Sequence, residues 1–153
     1  MFSVIFPGQG SQSVGMTKEL YDNFDYVKDL FKQADDVLGY SISKIILEGP
    51  KENLDLTENT QPAIFLASYS IFEMIKRENN INLGDAKYFA GHSLGEYSAL
   101  ATSGSLDFKN AIKLLNQRGK AMQTAVPKGT GGMVAVLGVE IKEVNNLLEE
   151  NQN

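Results

Sequence analysis

The sequence predicts an α/β fold in which short parallel strands are flanked by helices, and three observations predict it. Two short apolar runs, residues 2–6 and 87–90, each lead into a glycine-bearing turn and then a helical pattern, the alternation expected of a parallel sheet. Between them, apolar residues recur at three- and four-residue spacing rather than in strict alternation. A glycine-rich stretch, PKGTGG, separates a last strand and helix from everything before it.

FSVIF (2–6) reads as a short buried strand that ends at Pro7 and the turn GQGSQSVG. Over 25–38, Val27, Leu30, Phe31, Ala34, Val37 and Leu38 mark an amphipathic helix, with Gly39 as its stop. EGPKENLDLTEN reads as a polar loop. The stretch TQPAIFLASYSIFEMIKREN follows, with Pro62 expected at the first helical position and apolar residues on nearly every side, the pattern of a helix at the centre of a fold. The second strand, 87–90, leads through AGHSLGE into a helix that passes Tyr97, Leu100 and Ala101 and stops near Gly104. Asp107 is the expected cap of a longer helix over 108–124. In the tail, 133–137 reads as a strand, and Ile141, Val144, Leu147 and Leu148 mark a final helix. The expected division is 1–126 as the main unit and 127–153 as the start of a smaller one, because a lone strand and helix cannot bury both faces of a sheet.

Composition narrows the function classes. The 153 residues hold 14 Lys+Arg against 19 Asp+Glu, a formal net charge of -5, which opposes a general grip on nucleic acid or anionic membrane. With no cysteine, disulfides, thiolate metal sites and cysteine nucleophiles are excluded. No apolar run is long enough to span a bilayer and no secretory signal is visible, so a soluble cytoplasmic protein without a bound metal or cofactor is expected.

Gly91-His92-Ser93-Leu94-Gly95 is a GxSxG stretch between a strand and a helix, the pattern of a nucleophile elbow. Its glycines permit a tight turn, and the helix start aims free N–H groups at the place where an acyl oxygen would become negative. The alternative is a glycine turn with an ordinary serine. His92, the only histidine, is not expected to be the base for Ser93: neighbours in an extended segment face opposite ways, and a base must come within about 2.6–3.2 Å of the hydroxyl. A packing or positioning role is expected for it.

Arg118 falls on the apolar stripe Phe108, Ala111, Ile112, Leu115, Gly119, Met122. A guanidinium buried there needs a carboxylate, either from a ligand or from an internal acid such as Glu96 or Asp107, unless the side chain snorkels to solvent at the helix end. GSQSVGMT (10–17) approaches a phosphate loop but has Met16 where the phosphate-binding lysine belongs, which leaves nucleotide binding a minor alternative. The amides of FPGQGSQ could instead line a site.

FPGQGSQ, TQPA (60–63), GHSLGEY (91–97) and QRGKAMQ (117–123), in this order and spacing, resemble the malonyl-CoA:acyl carrier protein transacylases of fatty-acid synthesis, over about the first half of that family's usual length. The resemblance implies an α/β-hydrolase-like core with the first strand and helix of a ferredoxin-like subdomain, and a protein that is monomeric at full length. It implies Ser93 as nucleophile, the amides of Gln9 and Leu94 as oxyanion hole, Arg118 on the malonyl carboxylate and Met122 in the acyl pocket. Gly91, Gly95 and His92 would shape the turn. Malonyl-CoA and acyl carrier protein would be the partners, with coenzyme A thioester as substrate. The family's histidine base belongs to its second half and has no counterpart here, so feeble turnover is expected of these residues alone. A non-catalytic module that binds coenzyme A or acyl carrier protein and an unrelated serine hydrolase remain the alternatives.

Overall fold

A computed structural model describes residues 1–79, 81–126 and 136–151. Among these, two strands, β1 (Ser3–Phe6) and β2 (Tyr88–Gly91), pair in parallel, with Ser3 opposite Tyr88 and Phe6 opposite Gly91. The helices are α1 (Lys18–Asn23), α2 (Asp25–Leu38), α3 (Ile42–Glu48), α4 (Lys51–Leu54), α5 (Thr57–Glu78), α6 (Gly95–Thr102), α7 (Phe108–Ala125) and α8 (Ile141–Glu150), with one 3₁₀ turn at Leu83–Asp85. None of the described helices is long and apolar enough to cross a membrane.

The core sits on α5. Every residue from Asn59 to Ser68 is buried, and Ala63, Ile64, Phe65 and Leu66 meet Val27, Phe31 and Ala34 of α2 on one side and Phe108, Ala111, Ile112 and Leu115 of α7 on another. The helix with apolar residues all round is therefore the central one, as its pattern predicts. α2 has the expected limits, closed by Gly39 at φ 74°, and α7 has the expected cap, the Asp107 side chain accepting from the Asn110 amide at 3.0 Å.

Pro62 does not start α5. It lies inside the helix, which begins at Thr57. A proline cannot donate to the carbonyl four residues back, so the Glu58 carbonyl is left open; the Asn116 side chain of α7 fills it, Nδ2 donating at 3.0 Å. The exception to the proline rule is thus resolved by a neighbouring helix, and a tertiary contact sets the helix start.

The expected polar loop is also corrected, since 48–59 holds α4 and the first turn of α5. Before it, α3 is capped by Ser41, whose hydroxyl accepts from the Lys44 amide at 3.3 Å, and buries Ile42 and Ile46. The expected buried character of the first strand holds only in part: Phe6 is buried, whereas Ile5 is 76% exposed. With only one partner strand among the described residues, half of its surface has nothing to pack on. The second strand is shifted by one residue, to Tyr88–Gly91. In the tail, the expected strand's residues 133–135 and the boundary at 127 lie outside the described residues; Val136 and Leu137 are exposed and not in a strand. α8 forms as expected but has no buried residue.

Candidate active site

Parallel pairing brings the two glycine turns together. Because Phe6 lies opposite Gly91, the chain leaves both strands at the same end, and the segments that follow run side by side. The His92 amide continues the ladder, donating to the Phe6 carbonyl at 3.1 Å. Contact is close enough that a Cβ on Gly8 would lie 2.9 Å from the His92 carbonyl oxygen, and on Gly95 2.6 Å from the Phe6 carbonyl oxygen. Glycine is required at these positions by backbone proximity. Gly91 is more constrained still, because an added Cβ would overlap the Gly95 carbonyl group.

Ser93 stands at the apex with φ 55°, in the left-handed region that non-glycine residues rarely occupy. This sharp reversal lets β2 end at Gly91 and α6 begin at Gly95, and it leaves the Ser93 side chain exposed. Leu94, the next residue, is fully buried and anchors the turn in the core. Its backbone N–H has no acceptor among the described residues, and neither has that of Gln9 in the facing loop. That loop is braced from within: Gln12 accepts from the Gly10 amide at 2.9 Å and donates to Asp55 at 2.9 Å, and Ser11 donates to the Gly8 carbonyl at 2.9 Å. Gln12 in turn helps hold the Asp55 carboxyl below its ordinary range, behind the larger effect of its ion pair with Lys51.

Arg118 reaches the turn from α7. Its Nη2 donates to Ser93 Oγ at 3.1 Å, its Nη1 to Gln61 Oε1 at 2.7 Å, and its guanidinium carbon lies 6.0 Å from the centroid of Tyr97. It pairs with neither Glu96 nor Asp107, which corrects the internal-acid expectation: among the described residues it forms no ion pair. Glycine again explains the approach. A Cβ on Gly119 would lie 2.5 Å from Glu58 Cα and 2.6 Å from the Thr57 carbonyl oxygen, so α7 meets the first turn of α5 backbone to backbone.

Hydrogen bonds therefore link Ser93 to Arg118, and one further residue extends the link to Met122. Gln61, fully buried on α5, bonds Arg118 through its oxygen and Met122 Sδ through its Nε2 at 3.2 Å. Sequence reading left Gln61 without a role, since no local pattern links positions on two helices; its place in TQPA was the only signal. Met122 is 38% exposed, one helical turn beyond Arg118. His92 makes no hydrogen bond to Ser93, whose hydroxyl is bonded by Arg118. Among the described residues no cluster of acidic, histidine or cysteine side chains could hold a metal ion.

The arrangement offers a hydroxyl on a strained turn, the open amide of the next residue and a cation without a carboxylate among the described residues, groups able to hold an anionic acyl group. The known proteins that this chain is similar to are named as transacylases. It is 46% identical to a malonyl CoA-acyl carrier protein transacylase of Haemophilus influenzae over 97% of this chain and 47% of the relative. It is 45% identical to one of Bacillus subtilis, again over 97% and 47%. The fold superposes on a malonyl CoA-acyl carrier protein transacylase of Coxiella burnetii with a TM-score of 0.87 at 41% identity, over 97% of this chain and 46% of that one. A malonyl-transacylase solved with its type II PKS acyl-carrier protein gives 0.84 at 42% identity, over 97% and 47%. The chain thus spans about half the length of the relatives it matches. The family model described as an acyl transferase domain matches residues 3–150, and to that family this chain belongs.

Proposed function

We propose that this chain carries the nucleophile half of an acyltransferase that moves a malonyl group from coenzyme A to the phosphopantetheine thiol of acyl carrier protein. Ser93 Oγ attacks the thioester carbonyl, and the oxyanion that forms is held by the amides of Gln9 and Leu94, each such donor being worth about 3–4 kcal/mol of transition-state stabilisation. The carbon–sulfur bond breaks, coenzyme A leaves as the thiol with the proton given up by Ser93, and a seryl ester remains. The carrier thiol then attacks the ester and the proton returns to Ser93 Oγ.

One observation carries this reading: the guanidinium of Arg118, with no carboxylate partner among the described residues, lies 3.1 Å from Ser93 Oγ. In a malonyl group a single methylene separates the thioester carbonyl from the carboxylate. A residue that binds that carboxylate must therefore stand within a few Å of the nucleophile, where a longer dicarboxylic chain would overshoot. Met122 lines the acyl pocket, while His92, Gly91 and Gly95 shape the turn. The base is supplied from outside these residues, since His92 makes no bond to Ser93. Residues 127–153 open a ferredoxin-like subdomain, and 1–126 belong to an α/β-hydrolase-like core.

Intact-mass measurement after incubation with malonyl-CoA tests the reading. A malonyl adduct on the natural full-length protein that disappears in Ser93→Ala is expected. No adduct, or one that survives the substitution, overturns it. The 153-residue chain alone is expected to turn over feebly, and transfer at ordinary enzyme rates would refute an external base.

A further inference from the structure

Gln61 is a fully buried amide in a helix whose buried neighbours are mostly apolar, and both of its polar ends are committed to side chains of α7. An unpaired amide there would be unfavourable, so these two bonds fix its orientation. Arg118 has only donors to offer, which requires Gln61 to turn its oxygen to the guanidinium and leaves its Nε2 for Met122 Sδ. The bond to Arg118, at 2.7 Å, is the shorter and charge-assisted of the two. Tyr97, at 6.0 Å, adds only a loose stacking contact. Gln61 is thus the one buried group among the described residues that holds the guanidinium by a hydrogen bond, because the other partner, Ser93, is exposed.

Resting on the acyl-transfer reading above, we propose that Gln61 is a positioning residue for acyl selectivity: it pins Nη1 of Arg118 so that the other edge of the guanidinium stands beside Ser93, where the carboxylate of a malonyl group arrives. In the structure that edge bonds Ser93 Oγ itself. The incoming carboxylate takes over this contact, and the Gln61 bond keeps the fork from swinging away as it does so. Gln61 touches no reacting atom. Its effect on the reaction passes through Arg118.

The test uses the natural full-length protein and follows acylation of Ser93 by malonyl-CoA and by acetyl-CoA, which lacks the carboxylate. Gln61→Met keeps length and helix preference but removes the acceptor. It is expected to lower the malonyl-to-acetyl ratio of kcat/KM by about tenfold or more, through the malonyl value alone, with the acetyl value within about twofold of the parent. A purely structural role would lower both values together and leave the ratio unchanged, and that result overturns the proposal. Should Gln61→Met fail to fold, as judged by thermal melting, Gln61→Glu decides: its carboxylate occupies Arg118 and lowers the same ratio, whereas an unchanged ratio counts against the proposal. If the parent protein itself acquires no malonyl group on Ser93, the acyl-transfer reading has failed. If it does acquire one and the ratio survives substitution, only the role of Gln61 has failed.

Discussion

Ser93 holds its exposed position by occupying a backbone conformation, φ 55°, that a side chain makes unfavourable. Such strain at a single residue is of the order of 1–3 kcal/mol, and the packed turn around it must sustain it. Two substitutions separate strain from chemistry. Ser93→Ala removes the hydroxyl and keeps the Cβ; Ser93→Gly removes both. The glycine variant is expected to be more stable than the alanine variant by about 1 kcal/mol in chemical denaturation, although both lack the proposed nucleophile; equal stabilities would show that the turn carries no strain. Gly91→Ala has the opposite character. Its Cβ would overlap the Gly95 carbonyl group, so the turn cannot form, and a loss of at least about 3 kcal/mol, or failure to fold, is expected in the same assay. The elbow was legible in the sequence because its requirements are local, two glycines and a serine in five residues. Gln61 was not, because its partners lie on α7, 57 and 61 residues further along the chain.

α5 and α7 show how elements override local rules. Pro62 reads as a helix start, yet the helix begins five residues earlier because Asn116 donates to the carbonyl that the proline leaves open. The same Asn116 Nδ2 donates to the Tyr40 hydroxyl at 3.1 Å, and that hydroxyl donates to Asn59 Oδ1 at 2.8 Å. One polar network therefore ties the segment after α2 to both α5 and α7. None of its members stands out in sequence, where each is an ordinary polar residue, and α3, capped by Ser41 just after Tyr40, was not read from the sequence either. Burial first, then the nearby carboxylates of Glu58 and Asp35, raises the Tyr40 phenol from 10.0 to about 12. The folded state thus holds this proton more tightly than the unfolded chain does. Stability from this source is complete below pH 10 and is lost as pH rises towards 12. Tyr40→Phe is expected to lower stability by about 1–3 kcal/mol at neutral pH, since two amides lose a partner, and to flatten the decline between pH 10 and about 12. A denaturation series across that range checks both, and an unchanged alkaline slope would assign it to other groups.

At the scale of the whole molecule, a two-stranded parallel sheet is an unusual thing to find among the described residues, because parallel sheets are ordinarily covered on both faces. Here the helices crowd around α5, and the first strand keeps an open apolar side. Val4, Phe6, Ile71, Phe72, Ile75 and Leu83 line a groove of ≈ 610 Å³ beside Ile5, itself 76% exposed. A groove lined almost wholly by apolar side chains is surface on which further chain could pack. Ser93, Leu94, Gln61, Arg118 and Met122 do not line it, although Phe6 and Pro7, which lead into the facing loop, do. α8 carries a second such face, with Ile141, Leu147 and Leu148 all more than half exposed. Both features fit a chain that spans about half the length of its relatives, and they make a prediction that needs no substrate. The 153 residues on their own should bind an apolar dye such as anilinonaphthalene sulfonate and should self-associate as concentration rises, because an unpaired strand edge and an apolar groove favour further association. Ile5→Lys, which places a charge on the most exposed apolar side chain of β1 without touching the buried Phe6, should reduce both effects while leaving the melting temperature within a few degrees. Dye fluorescence and sedimentation velocity measure them directly. A monomer that ignores the dye would mean that the groove is closed in solution, and that these residues bury their first strand without help from any further part of the fold.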